Sequence, residues 1–599
     1  MKFTKMFLAA LLAVVVGSLL SGIVWILVLV GAAGSMNAQK PVMITPSTIL
    51  KIDMAENITD APTINPLAGF DFTSMKQTGS ITLLNALRAI EAAKSDERIK
   101  ALYINFTGMG GASGAALEEL RAAILDFKQS GKPVVAYNEQ YSQITYYLAS
   151  TADKVYLQPE GAMDWSGLSF STLFFKGALD KLGVKAEAVR PSSCKYKSAV
   201  EPYILKKMSP ANRQQMQELC DNLWSVIVSA IAESRKIEST TLNSLAETLA
   251  ITLPEDALQH GLVDELLYED QVLDKLAELG VERDAKGDLN FVSLGEYAAQ
   301  LQIDVQSLTA PQVGIIYANG QIFDGSGEDD NVYSANLVEL LIKARKDENI
   351  KAVVLRVNSP GGSALASEVM WREIELLKAV KPVVVSMGDT AASGGYYISA
   401  PADVILCNKM TLTGSIGVFG MFLVNDSLLD SKLGVTLDTV KSNRSSDFGQ
   451  GVMGIMFREP TAAERNRLVR SVDKVYDTFT KRVADGRNLS RERVYEIAEG
   501  RVWSGSQAVT IGLADANGGL KEALAVAADK AGIKDNFRTT EVLGELSPFA
   551  AFIQGMNKSV RSVLLDDVSK AVVAEREALQ RVLNLSGVQA YCPLYVTLE

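Results

Sequence analysis

The chain has 599 residues, 48% of them hydrophobic and 22% charged, with a formal net charge of -11 and a single histidine. That length allows two or three domains, and the composition is that of a folded protein without low-complexity tracts. The acidic balance, with no clustering of basic residues, excludes nucleic acid as the main partner.

Lys2 and Lys5 precede Met6 to Gln39, a run of 34 residues without a charge. A helix needs about 20 apolar residues to cross the hydrocarbon region, whereas the apolar part of a cleaved signal has about 7–15. The run therefore predicts an uncleaved transmembrane anchor over residues 1–40. Its lysines put the N-terminus in the cytoplasm and everything after Lys40 on the far side. No comparable apolar run follows, so a single-pass anchored protein is expected.

Residues 41–300 alternate short apolar strands with amphipathic helices. "KALYINF" reads as a strand and "GAALEELRAAILDF" as a helix. Residues 301–555 repeat the pattern. "DERIKALYINFTGMGGASG" from Asp96 matches "DENIKAVVLRVNSPGGSA" from Asp347 at an offset of 251, which puts Gly110 and Gly111 on Gly361 and Gly362. "KPVVAYNEQYSQITYYLAS" matches "KPVVVSMGDTAASGGYYIS", and "HGLVDE" matches "IGLADA". A repeat of this length is a duplicated domain of the βαβ kind, with strands apolar enough to be buried on both faces. "PQVGIIYANGQI" is read as the first strand of the second copy, and "SVRSVLLDDVSKAVVAEREALQRVL", within residues 556–599, as an amphipathic helix.

Comparison of the copies locates the chemistry. Ser393 stands in "DTAASGGYYISA" after an apolar strand, and its counterpart in the first copy is Gln143 or Ile144. Conversely, the first copy carries Lys195 and Lys197 in "VRPSSCKYKSAVEPY", where the second has Ser446 and Phe448. A serine needs a base, and a neutral amine can serve. Burial between domains disfavours the charged form of a lysine. Lys197 is therefore the candidate base for Ser393. Lys195 is the alternative, on the expectation that it shares a strand face with Lys197.

"NSPGGSA" ends a strand and opens a helix, so the N–H groups of Gly361 and Gly362, with that of Gly394, are candidates for stabilising an oxyanion. His260 lies before a glycine at an expected helix C-terminus, and its counterpart is Ile511, which marks it as structural. Cys194, Cys220, Cys407 and Cys592 are scattered, with no C-x-x-C pair, so free buried thiols are expected. No metal or cofactor is expected.

"YKSAVEPY", "NSPGGSA", "TAASGGYYIS" and "TLTGSIGVFG" together resemble the signal peptide peptidase A (protease IV) family in its long, duplicated form. The likeness covers nearly the whole chain. It implies an α/β architecture of tandem ClpP/crotonase-like domains behind an N-terminal transmembrane helix. It also implies a serine endopeptidase with a Ser/Lys dyad, in which Ser393 is the nucleophile, Lys197 the general base and Ser415 of "TGSIG" the residue that orients the lysine. The implied setting is the bacterial inner membrane with the catalytic domains in the periplasm. The implied substrates are cleaved signal peptides and other apolar peptides, and the implied assembly is a homotetramer. Two other readings share the fold: an acyl-CoA enzyme, which leaves the Ser/Lys pair and the anchor without a role, and a non-enzymatic scaffold for apolar peptides.

Overall fold

A computed structural model of the chain describes residues 44–53, 57–62, 70–71, 76–77, 80–106, 114–284, 286–301, 309–544 and 588–591. The expected anchor over residues 1–40 and the expected C-terminal amphipathic helix lie outside the described residues. Among the described residues no helix is long and apolar enough to cross a membrane. One compact unit holds Ile44–Pro62, Ser80–Gly544 and the strand Val588–Tyr591; in a second, Phe70–Asp71 pairs antiparallel with Lys76–Gln77.

The first repeat builds a parallel sheet of six strands. Their spatial order is Glu265–Leu266, Lys154–Met163, Val134–Tyr141, Ile99–Asn105, Thr48–Ile52, Asn290–Ser293. Parallel neighbours require crossover connections, and helices Leu83–Ser95 and Gly114–Lys128 supply two of them. The second repeat reproduces this order with Ala516–Asn517, Val404–Cys407, Val383–Ala392, Ile350–Ser359, Gln312–Asn319 and Arg538–Glu541. It then adds Leu412–Gly414 beside the end of Val383–Ala392, and Val502–Ser504 antiparallel to that.

Burial on both faces explains the apolar strands. Along Ile350–Ser359, Val353, Leu355 and Val357 enter one core with Met370 and Ile374 of helix Ala364–Lys378. Ala352 and Val354 enter another with Leu520, Ala523 and Ala527 of helix Leu520–Lys530. The alternation follows from the two-residue period of a strand.

A further sheet joins the two repeats. Val184–Val189, from the first repeat, pairs antiparallel with Phe419–Asn425 of the second, in register from Val184 opposite Asn425 to Val189 opposite Gly420. This ladder fixes where the segment after Val189 enters the second repeat.

The repeats also meet through helix Gly114–Lys128. The Ala115 N–H donates to Asp389 Oδ1 at 2.8 Å. The Glu118 carboxylate accepts from the Lys409 and Met410 N–H groups. Arg356, 1% exposed, pairs with Asp60 at 2.7 Å and Glu119 at 2.9 Å, two carboxylates that are themselves nearly buried.

Candidate active site

Strand Val383–Ala392 ends at Ser393, whose φ of 56° and ψ of -113° are rare for a residue with a side chain. Two backbone bonds hold the turn: the Ser393 N–H donates to Gly414 O at 2.8 Å, and Ser393 O accepts from Tyr397 N at 2.8 Å. Gly395 is required by close approach. A Cβ on Gly395 would lie 2.4 Å from Ser359 O, so no other residue fits there. Ser393 occupies the N-cap position of helix Gly394–Ser399 yet makes no capping bond. In the first repeat the N-cap is Ser142, with ordinary extended backbone and a side chain that accepts from Thr145 N. The first copy thus has a serine at the same helix start, but its hydroxyl is used in capping. Gln143, one residue on, exchanges two hydrogen bonds with the Gly167 backbone.

The lysine arrives from the cross-repeat ladder. After Val189 the chain turns through Cys194 and brings Lys197 under the serine. Lys197 Nζ donates to Ser393 Oγ at 2.7 Å, to Ser415 O at 2.9 Å and to Ser415 Oγ at 3.0 Å. All three residues are at most 1% exposed. The Lys197 backbone is held by its N–H on Cys194 O at 3.2 Å and by Arg190 Nη1 donating to its carbonyl at 2.8 Å. Its neighbour Tyr196 donates N–H to Glu499 O at 3.0 Å. Burial pushes the Cys194 thiol up, against the pull of a hydrogen bond with the Val418 backbone.

Ser415, with φ of 49°, is fixed by its N–H on Arg501 O at 2.7 Å. The segment Glu499–Val502 therefore touches the lysine on one side and Ser415 on the other. Gly500, at φ of 77°, lies flat against Lys197: a Cβ there would fall 2.6 Å from Lys197 Cβ. The sequence reading missed Gly500, although copy comparison holds a signal. At the offset of 251 its counterpart is Leu249, which has a similar positive φ of 50° and a 62% exposed side chain. Both repeats place a positive φ at this position, although the residue before it differs, Glu499 at φ of 52° against Thr248 at -95°; only the position beside Lys197 must lack a side chain.

Lys195 does not share a strand face with Lys197, because the segment is a series of turns. Its side chain is 55% exposed and pairs with Glu499 at 2.8 Å, away from the serine. Gly361 and Gly362 immediately precede Ser363, the cap of helix Ala364–Lys378, so the motif does end a strand and open a helix. They form a short strand, Gly361–Ser363. That strand packs against helix Gly394–Ser399, beside the Ser393 turn. The Gly361 N–H bonds to Ser359 Oγ at 3.2 Å, and Gly362 lies over Ile322 so closely that a Cβ would overlap its carbonyl. Gly394 is the first residue of the helix after Ser393. His260 is the C-cap of helix Pro254–Gln259. Cys194, Cys220 and Cys407 are free thiols, and Cys592 lies outside the described residues. Among the described residues no group of three or more His, Cys, Asp or Glu is placed to hold a metal ion.

Comparison with known proteins agrees with the duplication. The chain is 36% identical over 514 residues to "Protease 4" of Haemophilus influenzae, covering 84% of this chain and 80% of that protein. It is 33% identical over 554 residues to "Protease 4" of Salmonella typhi, covering 90% and 87%. With "Serine protease SPPA, chloroplastic" of Arabidopsis thaliana it shares 32% identity over 492 residues, covering 80% and 71%. The model of peptidase family S49 matches twice, at residues 126–282 and 375–534, once in each repeat. With two matches and relatives alike over most of their length, the chain belongs to peptidase family S49 and is a serine peptidase.

Proposed function

We propose that the protein is a membrane-anchored serine endopeptidase in which Ser393 is the nucleophile and Lys197 its general base. The observation that carries this reading is the 2.7 Å contact between Lys197 Nζ and Ser393 Oγ, two side chains at most 1% exposed. Removal from water penalises the charged form of an amine. In its neutral form Lys197 has a lone pair that can accept the Ser393 proton. The Ser415 carbonyl and hydroxyl engage its N–H groups and aim that lone pair at Ser393 Oγ.

The reaction then runs as acyl transfer. Ser393 Oγ attacks the scissile carbonyl while its proton passes to Lys197 Nζ. The tetrahedral oxyanion is stabilised by backbone N–H groups beside the Ser393 turn, with Gly361, Gly362 and Gly394 as the donors on this reading. Collapse breaks the C–N bond, and the Lys197 ammonium gives its proton to the departing amine. Water, deprotonated by the same lysine, releases the acyl group and restores Ser393.

Substrates on this reading are extended peptides. The chain's own strand Val588–Tyr591 lies antiparallel between Gly361–Ser363 and Phe419–Gly420. A peptide could add to the same two edges through main-chain bonds. The uncharged run Met6 to Gln39 would anchor the enzyme in the bacterial inner membrane with the repeats in the periplasm, in keeping with a ClpP/crotonase-like tetramer that clears cleaved signal peptides and other apolar peptides.

The test is hydrolysis of an apolar reporter peptide by the wild type, Ser393→Ala and Lys197→Ala. Loss of turnover in both variants, each folded, supports the dyad. Retention of turnover by folded Ser393→Ala refutes it.

A further inference from the structure

Gln215 lies on the buried face of helix Pro210–Arg235 in the first repeat and is 1% exposed. Its amide brackets the lysine. Nε2 donates to the Tyr196 carbonyl at 3.2 Å and to Ser198 Oγ at 3.0 Å, the residues immediately before and after Lys197. Asn212 Oδ1 lies 3.2 Å from the same nitrogen.

The other end of the amide reaches the second repeat, where the Val502 N–H donates to Gln215 Oε1 at 3.2 Å. Val502 is paired directly opposite Gly414. Gly414 O accepts the Ser393 N–H, and Arg501 O, one residue before Val502, accepts the Ser415 N–H. One side chain therefore bridges the backbone that carries the base and the backbone that carries the nucleophile.

We infer that Gln215 is a positioning residue that sets the Lys197 loop in register with the Ser393 turn across the repeat boundary; the inference rests on the Ser393–Lys197 reading. Its partners explain why an amide is needed. The Tyr196 carbonyl requires a donor and the Val502 N–H an acceptor, and a primary amide offers both from one side chain. A carboxylate has no hydrogen to donate, and a thioether of similar length makes neither bond well. Because Gln215 acts on the dyad through the backbone, its loss lowers kcat and leaves KM nearly unchanged.

The experiment uses the full-length chain in detergent and the apolar reporter peptide. The variants are Gln215→Met, Gln215→Glu and the exposed control Gln217→Ala, whose side chain bonds to Asp221 on the next turn. Active sites are counted with a serine-reactive phosphonate, and a melting curve accompanies each protein. Both Gln215 variants should lose at least about tenfold in kcat per titrated site with KM within about twofold; Gln217→Ala should match the wild type. A kcat within about twofold of wild type in the folded variants overturns the inference, as does a rise in KM at unchanged kcat. Should Gln215→Met not fold, Gln215→Glu decides alone. Ser393→Ala and Lys197→Ala run alongside. Turnover surviving there overturns the dyad itself, whereas its loss beside intact Gln215 variants overturns only the positioning role.

Discussion

Gly500→Ala tests how closely the second repeat defines the position of Lys197, the proposed base. The added Cβ would lie 2.6 Å from Lys197 Cβ, 2.8 Å from its N and 2.9 Å from its Cα. Carbon atoms in contact prefer about 3.5–4.0 Å, so one of the two segments must retreat by about 1 Å. The obstacle is backbone, which cannot swing aside as a long side chain would. A displacement of that size at a reacting group costs on the order of 100-fold in rate. The φ of 77° adds strain of about 1–2 kcal/mol for a residue with a Cβ. The expected variant is therefore less stable by about 1–3 kcal/mol and slower by about two orders of magnitude in kcat. Urea unfolding gives the first quantity, and turnover per titrated serine gives the second. A folded Gly500→Ala with kcat within about threefold of wild type would refute the reasoning, because the lysine would then tolerate the shift. The equivalent change in the first repeat, Leu249→Ala, alters an exposed side chain and should leave kcat untouched.

Three further predictions follow from contacts of different kinds. Ser415→Ala removes the 3.0 Å side-chain bond to Lys197 but keeps the 2.9 Å carbonyl bond, so kcat should fall by only about 2- to 10-fold, read in the same turnover assay. Arg356→Met strands Asp60 and Glu119 where little water reaches them, and chemical denaturation should show a loss of about 3–5 kcal/mol. Glu118 is pushed up to about 7 by burial, against the pull of the Met410 and Lys409 N–H groups. An unfolded glutamate titrates near pH ~4.3, so over the interval up to about 7 the folded state holds the extra proton and stability from this group falls as pH rises. The stability difference between Glu118→Gln and wild type should accordingly move in favour of glutamine between about pH 4 and 7; a difference independent of pH would contradict the assignment.

The repeats, their strands and the serine turn were legible because they are local. Strand and helix periods identify "KAVVLRV" and "LASEVMWREIELL" without knowledge of their neighbours, and the two copies check one another. The lysine was legible by subtraction, but the serine less so, because the first copy holds Ser142 at the same helix start and differs in how its hydroxyl is used. What the sequence withheld is partnership. Nothing in Val184–Val189 announces that it pairs with Phe419–Asn425 rather than with its own repeat, since a strand's pattern defines a face and not a neighbour. The same holds for Gly361–Ser363, a short strand before the helix whose partners, Ile322–Phe323 and Val588–Tyr591, its own residues do not name. Buried polar residues were hidden for a related reason. Arg356 sits in an apolar strand and Gln215 on a helix's buried face, and only tertiary partners explain either. Gly500 owes its role to Lys197, which packs against it from the other repeat.

The central claim is that Lys197 generates the nucleophile at Ser393, and the direct measurement is labelling rather than turnover. The full-length wild type and Lys197→Met would be treated with a serine-reactive phosphonate from pH 5 to 10, and the adduct located by peptide mass spectrometry. The account predicts an adduct on Ser393, formed at a rate that rises with pH to a plateau as the lysine loses its proton, and little labelling in folded Lys197→Met at any pH. An adduct on a different serine, or labelling of Ser393 in Lys197→Met at the wild-type rate, would contradict it.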